Sequence, residues 1–122
     1  ERPIDVYNHG DMLRDFTYID DIVDGIEAIV TQGPKPQHTN QPPHRVYNLG
    51  NNKPEKLLDM IEILEACLGR KAEKRFLPMQ PGDVLATFAD IEDAKRDYVF
   101  SPRTTLENGL DVFADWYLRA RT

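Results

Sequence analysis

Apolar residues recur three or four positions apart in several stretches of the chain, the spacing that puts them on one face of a helix. The first stretch predicts a helix over residues 20–31, with Asp20 as its N-cap and Gly33 just beyond its end. The second predicts a helix over residues 54–68, which opens on a proline in its first turn and ends before Gly69.

Two more helices are predicted in the last third of the chain. We expect Asp90 to cap a short helix that ends near Tyr98. The final helix opens with Thr104 and Glu107, whose spacing of three residues is that of a capping box. The apolar positions that follow again share one helical face.

Short segments at residues 4–8, 46–50 and 73–77 are rich in strand-forming residues and predict three strands. The order of strands and helices predicts a small mixed α/β domain with short strands and about four helices. Residues 33–45 include four prolines and are predicted to form a long loop, whose role the sequence leaves open. The length of 122 residues favours one domain over residues 1–122.

Composition narrows the classes of function. The chain has 15 basic and 21 acidic residues, and a formal charge of −6 argues against nucleic-acid binding. No apolar run approaches the roughly 20 residues of a membrane-spanning helix, so no membrane partner is expected. The single cysteine excludes an intramolecular disulfide and fits a reducing, cytoplasmic setting. The chain begins with glutamate rather than methionine, which favours a piece of a longer protein.

Several chemical motifs are missing. The seven glycines are too far apart for a phosphate-binding or dinucleotide fingerprint. Three histidines and one cysteine without zinc-ligand spacing predict no metal site. The one serine precedes a proline and forms no nucleophile elbow, which excludes a serine hydrolase. Acidic pairs at the predicted helix starts are explained by capping, without acid–base catalysis.

Two positions carry candidate binding chemistry. Arg14 follows a glycine-bearing turn and could hold a phosphate or carboxylate bidentately, or form a salt bridge with Asp15 or Asp20. Asp83 follows a Pro-Gly turn and could accept hydrogen bonds from a pair of sugar hydroxyls, or serve in an Asx turn or a helix cap. Composition does not decide either case.

Ordered sequence blocks carry a resemblance to a known family. Residues 7–23 read YNHGDMLRDFTYIDDIV, and they are followed by VYNLG, PMQPGDV, TFAD and FSPRTTLENGL. This order resembles the C-terminal region of nucleotide-sugar enzymes of the extended short-chain dehydrogenase/reductase type. It is most similar to bacterial UDP-glucuronate 4-epimerases, and the likeness covers essentially the whole chain.

The resemblance implies roles for four residues in binding a UDP-sugar. By this likeness Arg14 contacts the phosphates of UDP, Asp83 binds the ribose hydroxyls, and Phe16 lies near the nucleotide. Gln80 matches a position that is arginine in galactose epimerases, and a neutral amide cannot supply that second positive charge. Glutamine at this position fits the glucuronate branch better.

The resemblance also implies what lies outside the chain. Family members bind NAD in an N-terminal Rossmann domain and use a Tyr-x-x-x-Lys pair, whereas none of the five tyrosines here has lysine four residues on. We therefore expect a C-terminal nucleotide-sugar-binding portion, with no bound NAD and no epimerase activity of its own. The parent enzyme is expected to be cytoplasmic and to serve cell-surface polysaccharide synthesis. Loss of the Rossmann domain would expose apolar surface, which predicts self-association of this chain.

Two alternatives stay open at the level of sequence. Nucleotide-sugar dehydratases and decarboxylases share the block around Arg14 and differ chiefly in catalytic residues that are not present here. A free-standing, non-catalytic module that binds UDP-sugars would carry the same blocks. The sequence upstream of Glu1 would separate these possibilities from an epimerase fragment.

Overall fold

A computed structural model describes residues 2–35 and 44–120, so most of the predicted loop at residues 33–45 lies outside the described residues. The described part contains four α-helices, one short 3-10 helix and four very short strands. This arrangement confirms the predicted small mixed α/β fold. The elements are strands β1 (Ile4–Val6), β2 (Leu13–Asp15), β3 (Pro54–Lys56) and β4 (Lys74–Phe76), and helices α1 (Ile19–Gln32), α2 (Leu57–Leu68), α3 (Glu92–Tyr98) and α4 (Leu106–Ala120).

The described residues fall into two compact units. The first unit draws on Glu1–Arg14, Pro54–Thr87 and Thr105–Thr122, and the second on Asp15–Lys53 and Phe88–Thr104. The prediction that residues 1–122 act as one substrate-binding domain stays a prediction.

The first unit is built from the β1–β4 strand pair and from α2 packed on α4. β1 and β4 run parallel, with Val6 opposite Phe76, and Val6 is only 1% exposed. The α2–α4 contact buries Ile61 on one helix and Ala114 on the other. Parallel strands need a crossover, and the connection from β1 to β4 contains both α1 and α2.

A buried carboxylate ties the end of α2 to the chain that leads into β4. Glu65 accepts hydrogen bonds from the side chain of Lys74, from the N–H of Ala72 at 2.8 Å and from Nζ of Lys71 at 3.0 Å. These donors favour the charged form and lower the pKa of Glu65 to about 2. The carboxylate is therefore an internal anchor and no proton donor near neutral pH.

The second unit has its core around α3. Ile91, Ala94 and Phe100 are buried together, and Tyr47 and Leu49 pack against them. Helix α1 approaches this core through Gly25, since an added Cβ would lie 2.9 Å from the ring of Phe100. Glycine is required at that position by close packing rather than by backbone conformation.

An ion-pair cluster fixes the segment after residue 44 onto α3. Arg45 contacts Asp93 at 2.7 Å and Asp97 at 2.6 Å, and its guanidinium lies 5.0 Å from the ring of Tyr47. The hydroxyl of Tyr47 donates to Asp97 at 2.7 Å. Burial and this hydrogen bond raise the pKa of Tyr47 to about 12. The cluster serves packing, and none of these residues was a candidate from the sequence.

Three of the local predictions are wrong in physical detail. Residues 7 and 8, predicted as the end of the first strand, belong to a 3-10 helix over Tyr7–Gly10. Residues 46–49 form no strand, because no strand in the described part of the chain pairs with them. A strand without a neighbour leaves its backbone hydrogen-bonding groups unsatisfied. Helix α2 begins at Leu57 and not at Pro54, because residues 54–56 form β3 beside β2. The predicted ends of α1 and α2 are confirmed, with φ +69° at Gly33 and +64° at Gly69.

The helix caps also differ from the predictions. Tyr18 and not Asp20 holds the N-cap of α1, and it makes no side-chain cap hydrogen bond. At the start of α4 the hydroxyl of Thr105, one residue after the predicted Thr104, accepts the N–H of Asn108 at 3.2 Å. Ile91 holds the N-cap position of α3, although Asp90 Oδ1 accepts the N–H of Glu92 at 3.1 Å. Cap positions depend on one-residue shifts that periodicity does not resolve.

Candidate functional site

The candidate site lies in the first unit, where β2 runs beside the segment at residues 85–87. Leu13 donates its N–H to the carbonyl of Leu85 at 2.8 Å, and Thr87 donates its N–H to the carbonyl of Leu13 at 3.2 Å. This is a parallel bridge between Leu13 and Ala86. The carbonyl of Met12, a buried residue, accepts the N–H of Leu57 at 3.0 Å on the other side. The backbone before Arg14 is thus held from two directions.

A tight turn delivers the second candidate side chain. Asp83 donates its N–H to the carbonyl of Gln80 at 3.1 Å, which closes a four-residue turn. Pro81 and Gly82 fill the two central positions, and Gly82 has φ +86°. Proline followed by glycine with positive φ is the signature of a type II turn. The prediction that a Pro-Gly turn presents the Asp83 carboxylate is confirmed.

Arg14 and Asp83 meet in an ion pair. Nη2 of Arg14 donates to Oδ1 of Asp83 at 3.2 Å, although the two residues are 69 positions apart in sequence. The Arg14 side chain is 23% exposed and the Asp83 side chain 30% exposed. The pair is therefore partly shielded yet open to solvent, and a ligand can reach both groups.

The rest of the Arg14 guanidinium also has partners. Its Nη1 donates to the carbonyl of Leu13 at 2.8 Å and, more weakly, to the carbonyl of Leu85 at 3.4 Å. Its Nη2 also lies 3.8 Å from the sulfur of Met12. These contacts fix the plane of the guanidinium, and a fixed plane suits the recognition of a planar or tetrahedral anion.

The alternative in which Arg14 pairs with Asp15 or Asp20 is wrong, because Arg14 pairs with Asp83. In the second unit, the Asp15 carboxylate accepts the N–H groups of Asn52 at 3.0 Å and Ala89 at 2.9 Å. The Asp15 carboxylate thus serves to hold these backbone N–H groups in place. Sequence reasoning missed this role, for which the only local signal is a short acidic residue at a strand end.

Asp21, in the first turn of α1, is a second carboxylate that binds backbone N–H groups from a distant part of the chain. It is 8% exposed, and its two oxygens accept the N–H groups of Arg103 at 3.2 Å and Thr104 at 3.0 Å. Asp21 therefore pins the segment that follows Phe100 onto α1.

The other two predicted site residues have less defined surroundings. Gln80 is exposed, and its backbone carbonyl closes the turn that carries Asp83. Phe16 is partly buried and belongs to the second unit. The expected contacts of Phe16 and Gln80 with a nucleotide stay predictions.

Residues 2–35 and 44–120 contain no group of three or more His, Cys, Asp or Glu side chains placed to hold a metal ion. In the same part of the chain, no helix has the length and apolar character needed to cross a membrane.

Comparison with known proteins identifies relatives of matching sequence and fold. The model of the NAD dependent epimerase/dehydratase family matches residues 1–50. Protein CapI of Staphylococcus aureus is 43% identical over 128 residues, which cover 97% of this chain and 38% of that protein. UDP-glucuronate 4-epimerase 1 of Arabidopsis thaliana is 39% identical over 126 residues, which cover 96% of this chain and 29% of that protein.

A solved structure gives the same picture. The UDP-glucuronic acid 4-epimerase of Bacillus cereus, solved in complex with UDP-glucuronic acid and NAD, is 32% identical and superposes with a TM-score of 0.79. The match covers 98% of this chain and 36% of that one. The chain therefore spans well under half the length of these relatives.

Proposed function

We propose that this chain, whose residues 1–50 match the model of the NAD dependent epimerase/dehydratase family, is the nucleotide-sugar-binding part of a UDP-sugar 4-epimerase acting on UDP-glucuronate. The relatives named for that activity support the substrate, and their greater length supports a parent protein that contains more than these residues. In this proposal the parent works in the cytoplasm and supplies a sugar for cell-surface polysaccharide.

Within the proposal, Arg14 and Asp83 share the binding of UDP. Arg14 holds the diphosphate through charge-assisted hydrogen bonds, which are stronger than bonds between neutral groups. Asp83 accepts hydrogen bonds from the ribose hydroxyls, and exposed Gln80 offers a neutral amide to the same ligand. The observation that carries the proposal is the approach of Arg14 to Asp83 at 3.2 Å, both partly open to solvent.

NAD belongs to the parent, and the residues described do not fit an NAD site of their own. A dinucleotide site needs a strand that leads into a helix through a glycine-rich turn. Here β3 runs directly into α2, and the residues between β2 and α1 contain no glycine. The proposal therefore gives this chain substrate binding alone and leaves the redox step and the proton transfer to the rest of the parent.

Calorimetric titration of the chain with UDP and with UDP-glucuronate tests the proposal. We expect weak binding of both ligands, reduced roughly tenfold or more in Arg14→Ala, because a hydrogen bond to a charged group is lost. Arg75→Ala is the matched control, since Arg75 lies in the same unit, is 62% exposed and pairs with Asp5. Equal losses in the two variants, or no UDP binding by the native chain, would contradict the proposal.

Self-association of the chain is a separate expectation. The α1 side chains of Val23, Ile26 and Val30 are 49%, 50% and 74% exposed and lie three or four residues apart. An apolar stripe in water favours association. Sedimentation velocity should show a mass that rises with protein concentration, and a monomer at every concentration would count against the expectation.

A further inference from the structure

In the free chain the side chains of Arg14 and Asp83 are paired with each other. Both terminal nitrogens of the guanidinium serve partners: Nη2 serves Asp83, and Nη1 serves the carbonyls of Leu13 and Leu85. A phosphate that accepts two parallel hydrogen bonds needs at least one of these nitrogens. The phosphate would also lie next to the Asp83 carboxylate, and the two negative charges would repel each other at that short distance. An anion can therefore use Arg14 fully only after Asp83 turns away.

We propose that Asp83 is a specificity-determining residue that withholds Arg14 from anions without a ribose and releases it to a nucleoside diphosphate. This inference rests on the proposed function, in which Asp83 binds ribose hydroxyls. It adds that the same carboxylate discriminates between a nucleotide and free diphosphate before either is bound.

The discrimination follows from what each ligand offers to the displaced carboxylate. A ribose carries two vicinal hydroxyl groups, which replace the lost Arg14 donor with two O–H donors. Inorganic pyrophosphate carries no such donor and brings further negative charge, so Asp83 would exchange a cation for an anion. Only the nucleoside diphosphate satisfies both residues at once.

The local structure allows this exchange of partners without refolding. The turn from Gln80 to Asp83 is set by Pro81 and by the positive φ of Gly82, so the backbone stays in place while the Asp83 side chain rotates. The pair is joined by a single 3.2 Å contact and is partly exposed. Such pairs are weak, which allows a ligand to open them.

Calorimetric titrations of the native chain and of Asp83→Asn, with inorganic pyrophosphate and with UDP as probes, test the inference. Asp83→Asn should bind pyrophosphate roughly two- to fivefold more tightly than the native chain, the range expected from loss of a partly exposed ion pair. The same variant should bind UDP less tightly, so that the ratio of its affinity for UDP to its affinity for pyrophosphate falls below that of the native chain. Asp111→Asn removes an equal charge from an exposed position of α4 and should change neither affinity.

A second variant controls for misfolding of the first. Asp83→Ser is also neutral and should show the same gain for pyrophosphate, with thermal unfolding used to verify that each variant is folded. If neither variant gains affinity for pyrophosphate, the inference is overturned, whatever happens to UDP. If UDP binding does not respond to Arg14→Ala, the proposed function fails instead.

Discussion

The turn that carries Asp83 depends on Gly82, and its replacement by alanine separates backbone strain from loss of contacts. Gly82 has φ +86°, which an L-residue with a side chain rarely adopts. A Cβ built on it meets no atom within 4 Å, so the substitution introduces strain without a clash. We expect Gly82→Ala to destabilise the chain and to displace the Asp83 carboxylate.

The magnitude follows from the backbone alone. Holding an L-residue in the left-handed region costs about 1–2 kcal/mol relative to glycine. Gly69 offers a matched control, because it has φ +64°, meets no atom within 4 Å and lies in the same unit at the end of α2. Gly82→Ala and Gly69→Ala should therefore lower the free energy of unfolding by similar amounts.

Urea denaturation and UDP titration together distinguish the two glycines. Both variants should lose about 1–2 kcal/mol of stability, but only Gly82→Ala should weaken UDP binding. If both variants weaken UDP binding equally, the loss reflects general destabilisation. If Gly82→Ala binds UDP as the native chain does, the turn has no part in presenting Asp83, and the reasoning is refuted.

Three further predictions concern stability and activity. Above pH 4.5 the Glu65 carboxylate is charged in both the folded and the unfolded chain, and it stabilises the fold. Because folding lowers the pKa of Glu65 to about 2, this stabilisation should be lost as the pH falls from about 4.5 to 2. The difference in melting temperature between the native chain and Glu65→Gln should shrink over the same pH range. Asp21→Asn leaves one of two backbone N–H groups without an acceptor and should lower the free energy of unfolding in urea by about 1–3 kcal/mol. Asp20→Asn changes an exposed residue and should lower it by under about 0.5 kcal/mol. Equal losses in the two variants would contradict the role of Asp21. The purified chain with added NAD should not epimerise UDP-glucuronate, and product in a chromatographic assay would show that catalysis does not need the rest of the parent.

The features predicted well from sequence are those that neighbouring residues determine. The ends of α1 and α2 at Gly33 and Gly69 were predictable because a residue with positive φ after a helix is a local requirement that glycine meets. The turn before Asp83 was predictable for the same reason, since Pro81 and Gly82 encode its geometry by themselves.

The features missed depend on residues far apart in the chain. The partner of Arg14 lies 69 positions away, and the N–H groups that Asp21 accepts lie 82 and 83 positions away. Periodicity carries no information about such pairs, so the sequence suggested local partners such as Asp15 instead. The segment at residues 46–50 was misassigned because strand propensity takes effect only where a neighbouring strand is available.

Nuclear magnetic resonance of the ¹⁵N-labelled chain during titration with UDP locates the nucleotide-binding site residue by residue. We expect the largest shift changes on the backbone amides of Gln80 and of residues 82–85, and on the backbone and side-chain N–H groups of Arg14. Resonances of the α2–α4 contact, such as those of Ile61 and Ala114, should change little. Changes centred on α2 and α4, with Arg14 and Asp83 unaffected, would contradict the assignment of the nucleotide-binding site.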